Sequence, residues 1–134
     1  FRVNLIGSIK DNKLILDEKF LYDDGETDTR VWTITKDKFS KDQIKYSGTA
    51  KDIEGKAKGT SSGNALNWSY DIYLNIQGKN LKVRFNDWIY QQDEHVAINR
   101  AYVSKFGIEI GSVTLVFLRG NAAKTIGKLN LDKW

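Results

Sequence analysis

Apolar and polar residues alternate with a period of two along most of this chain, the mark of half-buried β-strands. Residues 64–76 carry it most plainly: Leu66, Trp68, Tyr70, Ile72, Leu74 and Ile76 interleave with Asn67, Ser69, Asp71, Tyr73 and Asn75. The same alternation predicts strands over 79–92 and 95–105, with Leu81, Val83, Phe85 and Ile89, then Val96, Ile98 and Tyr102, as the apolar faces. Residues 108–118 are apolar on both faces, as a strand covered on each side or facing a partner would be. Earlier strands are predicted over 2–8, 12–22, 29–36, 43–50 and 55–60, and no segment sustains a helical period.

Short, turn-rich gaps join these segments: Asp11-Asn12, Asp23-Asp24-Gly25, Ser61-Ser62-Gly63, Gln77-Gly78 and Asp93-Glu94. Such gaps connect neighbours antiparallel, so the expected fold is all-β, an antiparallel up-and-down β-barrel of eight to nine strands. Closure would remove the exposed edges, and a barrel of about eight strands either fills with side chains or holds one small ligand. The expected domain is residues 1–119, followed by a tail over 120–134 that lacks the pattern or adds a short helix.

Turn placement decides what points inward. A type II′ turn at Gly78-Lys79 pairs Ile72 with Phe85 and Tyr70 with Asp87, and a two-residue turn at Asp93-Glu94 pairs Arg100 with Asp87. All the apolar residues then share one face, together with a polar row of Tyr70, Asp87 and Arg100. Burying the even positions of 12–22 sets Glu18 inside, diagonally near Arg30, with Trp32 beside them. The candidate lumen is therefore Glu18, Arg30, Trp32, Trp68, Tyr70, Ile72, Phe85, Asp87 and Arg100. Two uses of its charges stand open. They are interior ion pairs fixing strand register, or Arg100 or Arg30 anchors the acidic head of a lipid or fatty-acid-like ligand against an apolar wall.

Composition narrows the chemistry. The 134 residues are 40% hydrophobic and 28% charged, enough for a core, and include no cysteine and one histidine. That excludes disulfides, thiolate sites and most zinc sites, and no cofactor or metal site is expected. His95 falls at a predicted turn, so no Ser-His-Asp constellation forms, and Gly55-Lys56-Ala57-Lys58-Gly59 lacks the spacing of a phosphate loop. Non-enzymatic binding is thus expected ahead of catalysis. The acidic loop Asp23, Asp24, Glu26 and Asp28 does not match the ligand spacing of an EF-hand. Net charge is +4, with acids interrupting bases almost everywhere, a pattern that argues against a nucleic-acid partner.

Several blocks in order carry a resemblance: Leu16-Asp17-Glu18-Lys19-Phe20-Leu21-Tyr22-Asp23-Asp24-Gly25-Glu26, Arg30-Val31-Trp32, Tyr46-Ser47-Gly48-Thr49-Ala50, Gly63-Asn64-Ala65-Leu66-Asn67-Trp68, Asp87-Trp88-Ile89-Tyr90, Ile98-Asn99-Arg100-Ala101 and Ser104-Lys105-Phe106-Gly107. Together they resemble an uncharacterised Gram-negative envelope lipoprotein family, a domain of unknown function with a lipocalin-like barrel. The resemblance implies a periplasmic domain held at a membrane, the outer membrane first, through an N-terminal lipidated cysteine that this sequence lacks. It also implies a first strand ahead of Phe1, and it implies no known activity.

Overall fold

A computed structural model describes residues 1–130; residues 131–134, the end of the expected tail, lie outside the described residues. Nine strands follow one another: β1 (Arg2–Lys10), β2 (Lys13–Leu21), β3 (Thr27–Phe39), β4 (Ile44–Thr49), β5 (Ile53–Ser62), β6 (Ala65–Ile76), β7 (Lys79–Gln91), β8 (Val96–Lys105) and β9 (Ile108–Leu118). Each pairs antiparallel with the next in a single sheet of order β1 to β9, the expected meander. The sheet curls into a half-barrel, and β1 and β9 remain its two free edges. Bulges between Lys36 and Lys38, Glu54 and Lys58, and Val103 and Ser104 supply local bends. A single helical turn, α1 (Asn121–Lys124), follows β9.

The turns show why the strands start where they do. Asp11 and Asn12, Gln77 and Gly78, and Phe106 and Gly107 all have positive φ, the paired left-handed geometry of two-residue hairpin turns that matches strand twist. The β6–β7 turn therefore sits at Gln77-Gly78, one residue earlier than the type II′ placement. Ile72 meets Val83, Tyr70 meets Phe85 and Trp68 meets Asp87. This two-residue change of partner keeps every side chain on its predicted face.

The β7–β8 connection departs further. Asp93 Oδ1 accepts hydrogen bonds from the backbone N–H groups of His95 and Val96 (2.7 and 2.8 Å), and the Gln92 N–H donates to the Val96 carbonyl. With Gln92 facing Val96, three residues, Asp93 to His95, form the loop, an Asx turn in place of a two-residue hairpin. Arg100 pairs with Trp88, and Asp87 with Ala101. A one-residue slip turns a strand over, so β8 sends Ala97, Asn99, Ala101 and Val103 inward, while Ile98, Arg100 and Tyr102 face out.

The core is the middle of the concave face. Trp32 meets Trp68 edge-on with ring centroids 5.5 Å apart and Tyr70 at 5.3 Å, and Tyr70 stacks on Phe85 at 5.4 Å. Ile72, Val83 and Val103 complete this cluster, with Ala57 and Ile53 from β5. The Trp68 indole lies flat over the bare backbone of β4 and β5. A Cβ added at Gly48 would stand 2.7 Å from the indole, and one at Gly59 2.4 Å from it. Neither glycine has a positive φ, so it is the close approach that requires them.

Gly59→Ala should therefore destabilise the fold by about 2 kcal/mol, the usual cost of overpacking. In a double-mutant cycle, Trp68→Leu should absorb most of that cost. Additive losses in chemical denaturation would show that the Gly59–Trp68 contact does not set the size of the residue at 59.

Candidate functional site

Beside the aromatic cluster, the concave face carries a charged group. Glu18 and Arg30 are direct cross-strand partners, closer than the diagonal placement expected from the sequence. Arg30 Nε donates to both Asp52 oxygens (3.0 and 2.9 Å) and Nη2 to Oδ2 (2.8 Å), while Nη1 reaches Glu18 Oε2 at 3.5 Å. The guanidinium also lies over the Phe20 ring at 5.4 Å and the Trp32 ring at 6.0 Å. Burial is the largest single influence and works against its charge, but the Asp52 hydrogen bonds and charge, with Tyr70 and Glu18, together raise the Arg30 pKa. Glu18 goes the other way: loss of water raises its pKa despite Arg30.

A second polar pair lies on β7 and β8. Asn99 is 1% exposed and donates from Nδ2 to Asp87 Oδ1 at 3.1 Å. The other carboxyl oxygen, Asp87 Oδ2, is buried and without a hydrogen-bond partner. Burial pushes the Asp87 carboxyl up to about 6, against the lowering effects of the Asn99 hydrogen bond and the more distant Arg30 charge. Burial, followed by the Asp87 charge, likewise raises the Tyr70 hydroxyl well above its ordinary value.

Of the residues predicted for the lumen, Glu18, Arg30, Trp32, Trp68, Tyr70, Ile72, Phe85 and Asp87 share the concave side. Arg100 does not. It is exposed on the convex face, where Nη1 donates to Thr114 Oγ1 (2.5 Å) and the guanidinium overlies Tyr102. The row Tyr70–Asp87–Arg100 is therefore replaced by Trp68–Asp87, with Asn99 as the carboxyl's actual partner. Two members of the site were not expected from the sequence. Asp52 sits in a gap between predicted strands, and Asn99 was turned outward by the misplaced turn.

Three carboxylates thus accompany one guanidinium on this face, and the guanidinium is already bonded to two of them. The unmet need is a hydrogen-bond donor at Asp87, so the concave face is a poor receptor for a further anion. Two grooves lie away from these charged side chains. One, of about 220 Å³, is lined on the convex side by Lys13, Thr33, Thr35, Ser47, Thr49 and Lys56. Another, of about 230 Å³, lies beneath the β3–β4 hairpin. Among the described residues no three His, Cys, Asp or Glu side chains gather as a metal site, and no helix is long and apolar enough to cross a membrane.

The fold and site define a class: an antiparallel β half-barrel whose aromatic core is flanked by buried charge. Within that class, the chain belongs to the family described as protein of unknown function (DUF3833), matched over residues 1–119. No curated protein and no solved structure matches it.

Burial of the Asp87 carboxyl makes stability depend on pH in one direction. A carboxyl held above its unfolded value of about 3.9 favours folding in its neutral form, so this contribution is full below pH 4 and is lost as pH rises through about 6. Asp87→Asn should match the parent below pH 4 and exceed its stability by roughly 2–3 kcal/mol at pH 7.5. Denaturation curves at the two pH values decide it: a variant no more stable than its parent at pH 7.5 would refute the burial argument.

Proposed function

We propose that this domain is a bacterial-envelope lipoprotein module that binds a lipid or other small apolar molecule along its concave face, without catalysis. The observation carrying this reading is the open seam between β1 and β9. The middle of the concave face is sealed by Trp32, Trp68 and Val83, but the apolar side chains toward the seam are only half-buried. Val3, Leu5 and Leu16 stand on one side, Val113, Leu115 and Phe117 on the other. A soluble domain gains by covering such a trough with an apolar guest. The polar end of that guest is a hydroxyl, amine or amide in preference to an acid, because Arg30 is occupied and Asp87 Oδ2 lacks a donor. Placement at the outer membrane through an upstream lipid anchor is part of the proposal and rests on the resemblance of the sequence blocks.

A second reading has its own support. The aromatic cluster fills the centre of the concave face and neither groove reaches it, as in a structural or assembly domain whose working surface is outside. The outward Trp88, Tyr90 and Tyr73, each more than a third exposed, would then matter more than the concave face.

Native mass spectrometry of protein purified without denaturation should show a retained apolar molecule. An apolar fluorescent probe should bind saturably, be displaced by long-chain alcohols or amines more readily than by fatty acids, and be lost in Leu16→Asp and Leu115→Asp. Both positions are half-buried toward the edges, so circular dichroism should show these variants folded. Folded parent protein with no retained molecule and no probe binding would overturn the binding reading in favour of the structural one.

A further inference from the structure

The free ends of the hairpins are not alike. β2 pairs with both β1 and β3, so the β1–β2 and β3–β4 tips stand side by side at one end of the sheet. Each raises one large apolar side chain into water: Ile9 is 73% exposed and Phe39 79%. Neither packs into the core, and Phe39 is flanked by Lys36, whose ammonium lies 5.3 Å from the ring centroid. Lysines surround the two tips. Residues 9–13 and 36–45 together hold six of them, Lys10, Lys13, Lys36, Lys38, Lys41 and Lys45, against Asp11, Asp37 and Asp42. All six are exposed, and Asp37 accepts a hydrogen bond from Ser47. The groove of about 230 Å³ beneath the β3–β4 tip is lined by Lys36 and Lys41, by the hydroxyls of Ser40, Ser61 and Ser62, and by the Phe39 ring.

We propose that this end of the half-barrel docks on an anionic lipid bilayer, with Phe39 and Ile9 entering the headgroup layer and the surrounding lysines meeting lipid phosphates. Apolar tips within a basic rim are the combination that interfacial binding uses, since apolar burial and attraction to an anionic leaflet add. Charge complementarity selects the end. The opposite end also raises an exposed aromatic, Phe106 at 93%, under a lysine of its own, Lys105, but there the β2–β3 loop sets Asp23, Asp24 and Glu26 against an anionic surface, whereas the acids Asp93 and Glu94 at the proposed end lie on the β7–β8 loop, four strands from Phe39. The docking is independent of a guest on the concave face, and either can fail without the other.

Co-sedimentation of the whole chain with vesicles tests it. Binding is expected to phosphatidylcholine vesicles containing about a third phosphatidylglycerol, with at least a tenfold weaker association to pure phosphatidylcholine. Phe39→Ser should weaken binding to the anionic vesicles about tenfold, and the triple variant Lys36→Gln, Lys38→Gln, Lys41→Gln by more, while Phe106→Ser leaves it unchanged. These side chains are exposed, so all variants should keep the parent's circular dichroism and melting point. Sodium phosphate should displace the protein no better than sodium chloride of equal ionic strength. Equal binding to both vesicle types, indifference to Phe39→Ser, loss on Phe106→Ser, or selective displacement by phosphate would each overturn the proposal, the last in favour of a soluble phosphate ligand.

Discussion

The fit of one indole against bare backbone sets the rest of this structure. Trp68 is 9% exposed, and its ring occupies the space that side chains at Gly48 and Gly59 would otherwise take. Bare backbone at Gly48 and Gly59, on neighbouring strands, lets the sheet close tightly around a large ring. Trp32 and Tyr70 then reach each other across β3 and β6, strands that are not adjacent in the sheet, and Phe85 extends the stack to β7. These contacts span the curvature, so they hold the curl where a flat sheet would leave the rings apart. Aromatic pairs in edge-on and offset arrangements add about 0.5–1.5 kcal/mol each beyond their buried area. The core is accordingly narrow and sits in the middle of the sheet.

Close to that core, charge is unevenly shared. Arg30 satisfies Asp52 through a bidentate bond and leaves Glu18 at 3.5 Å, while Asp87 has only Asn99. A buried carboxylate with one neutral donor is costly, and the carboxyl responds by holding its proton to higher pH. The same imbalance shapes the choice of guest. Pairing Arg30 with an external acid would require Asp52 or Glu18 to give up its partner inside the protein, whereas Asp87 Oδ2 has no partner to lose.

The sequence revealed periodicity and topology far better than it revealed turns. Nine strands, their order and the inward set on β6 and β7 follow from a period-two pattern so regular that a one-residue displacement of the turn to Gln77-Gly78 moved partners by two and no faces. β8 lacked that protection. Its two faces, Val96-Ile98-Arg100-Tyr102 and Ala97-Asn99-Ala101-Val103, are both mixed in polarity, so hydrophobic pattern could not choose between them. The choice was made by Asp93, whose carboxylate caps two backbone N–H groups and lengthens the loop by one residue. Asp52 was hidden for a different reason. It lies in the Ala50–Ile53 turn, and only the curl of the sheet brings that turn to Arg30.

An open half-barrel must manage two edges. β9 has one charged residue, Glu109, and bares Ile108, Ile110 and Val116, which makes it the more adhesive edge. β1 is guarded at its ends by Arg2 and Lys10. Past β9 the chain does not leave the sheet. The Arg119 N–H and Nε donate to the carbonyls of His95 and Glu94, and Arg2 Nη1 donates to the carbonyl of Gly127. In a nine-strand meander β9 ends at the end of the sheet opposite the start of β1. Residues 119–127 therefore run from the far end of one edge to the near end of the other, tying them together without a strand ladder. Side-chain bonds of this kind contribute little each, roughly 1 kcal/mol, and none is buried. The seam is thus fastened by exposed bonds that can open without disturbing the aromatic core, which is the arrangement a trough needs if a guest is to enter from the side.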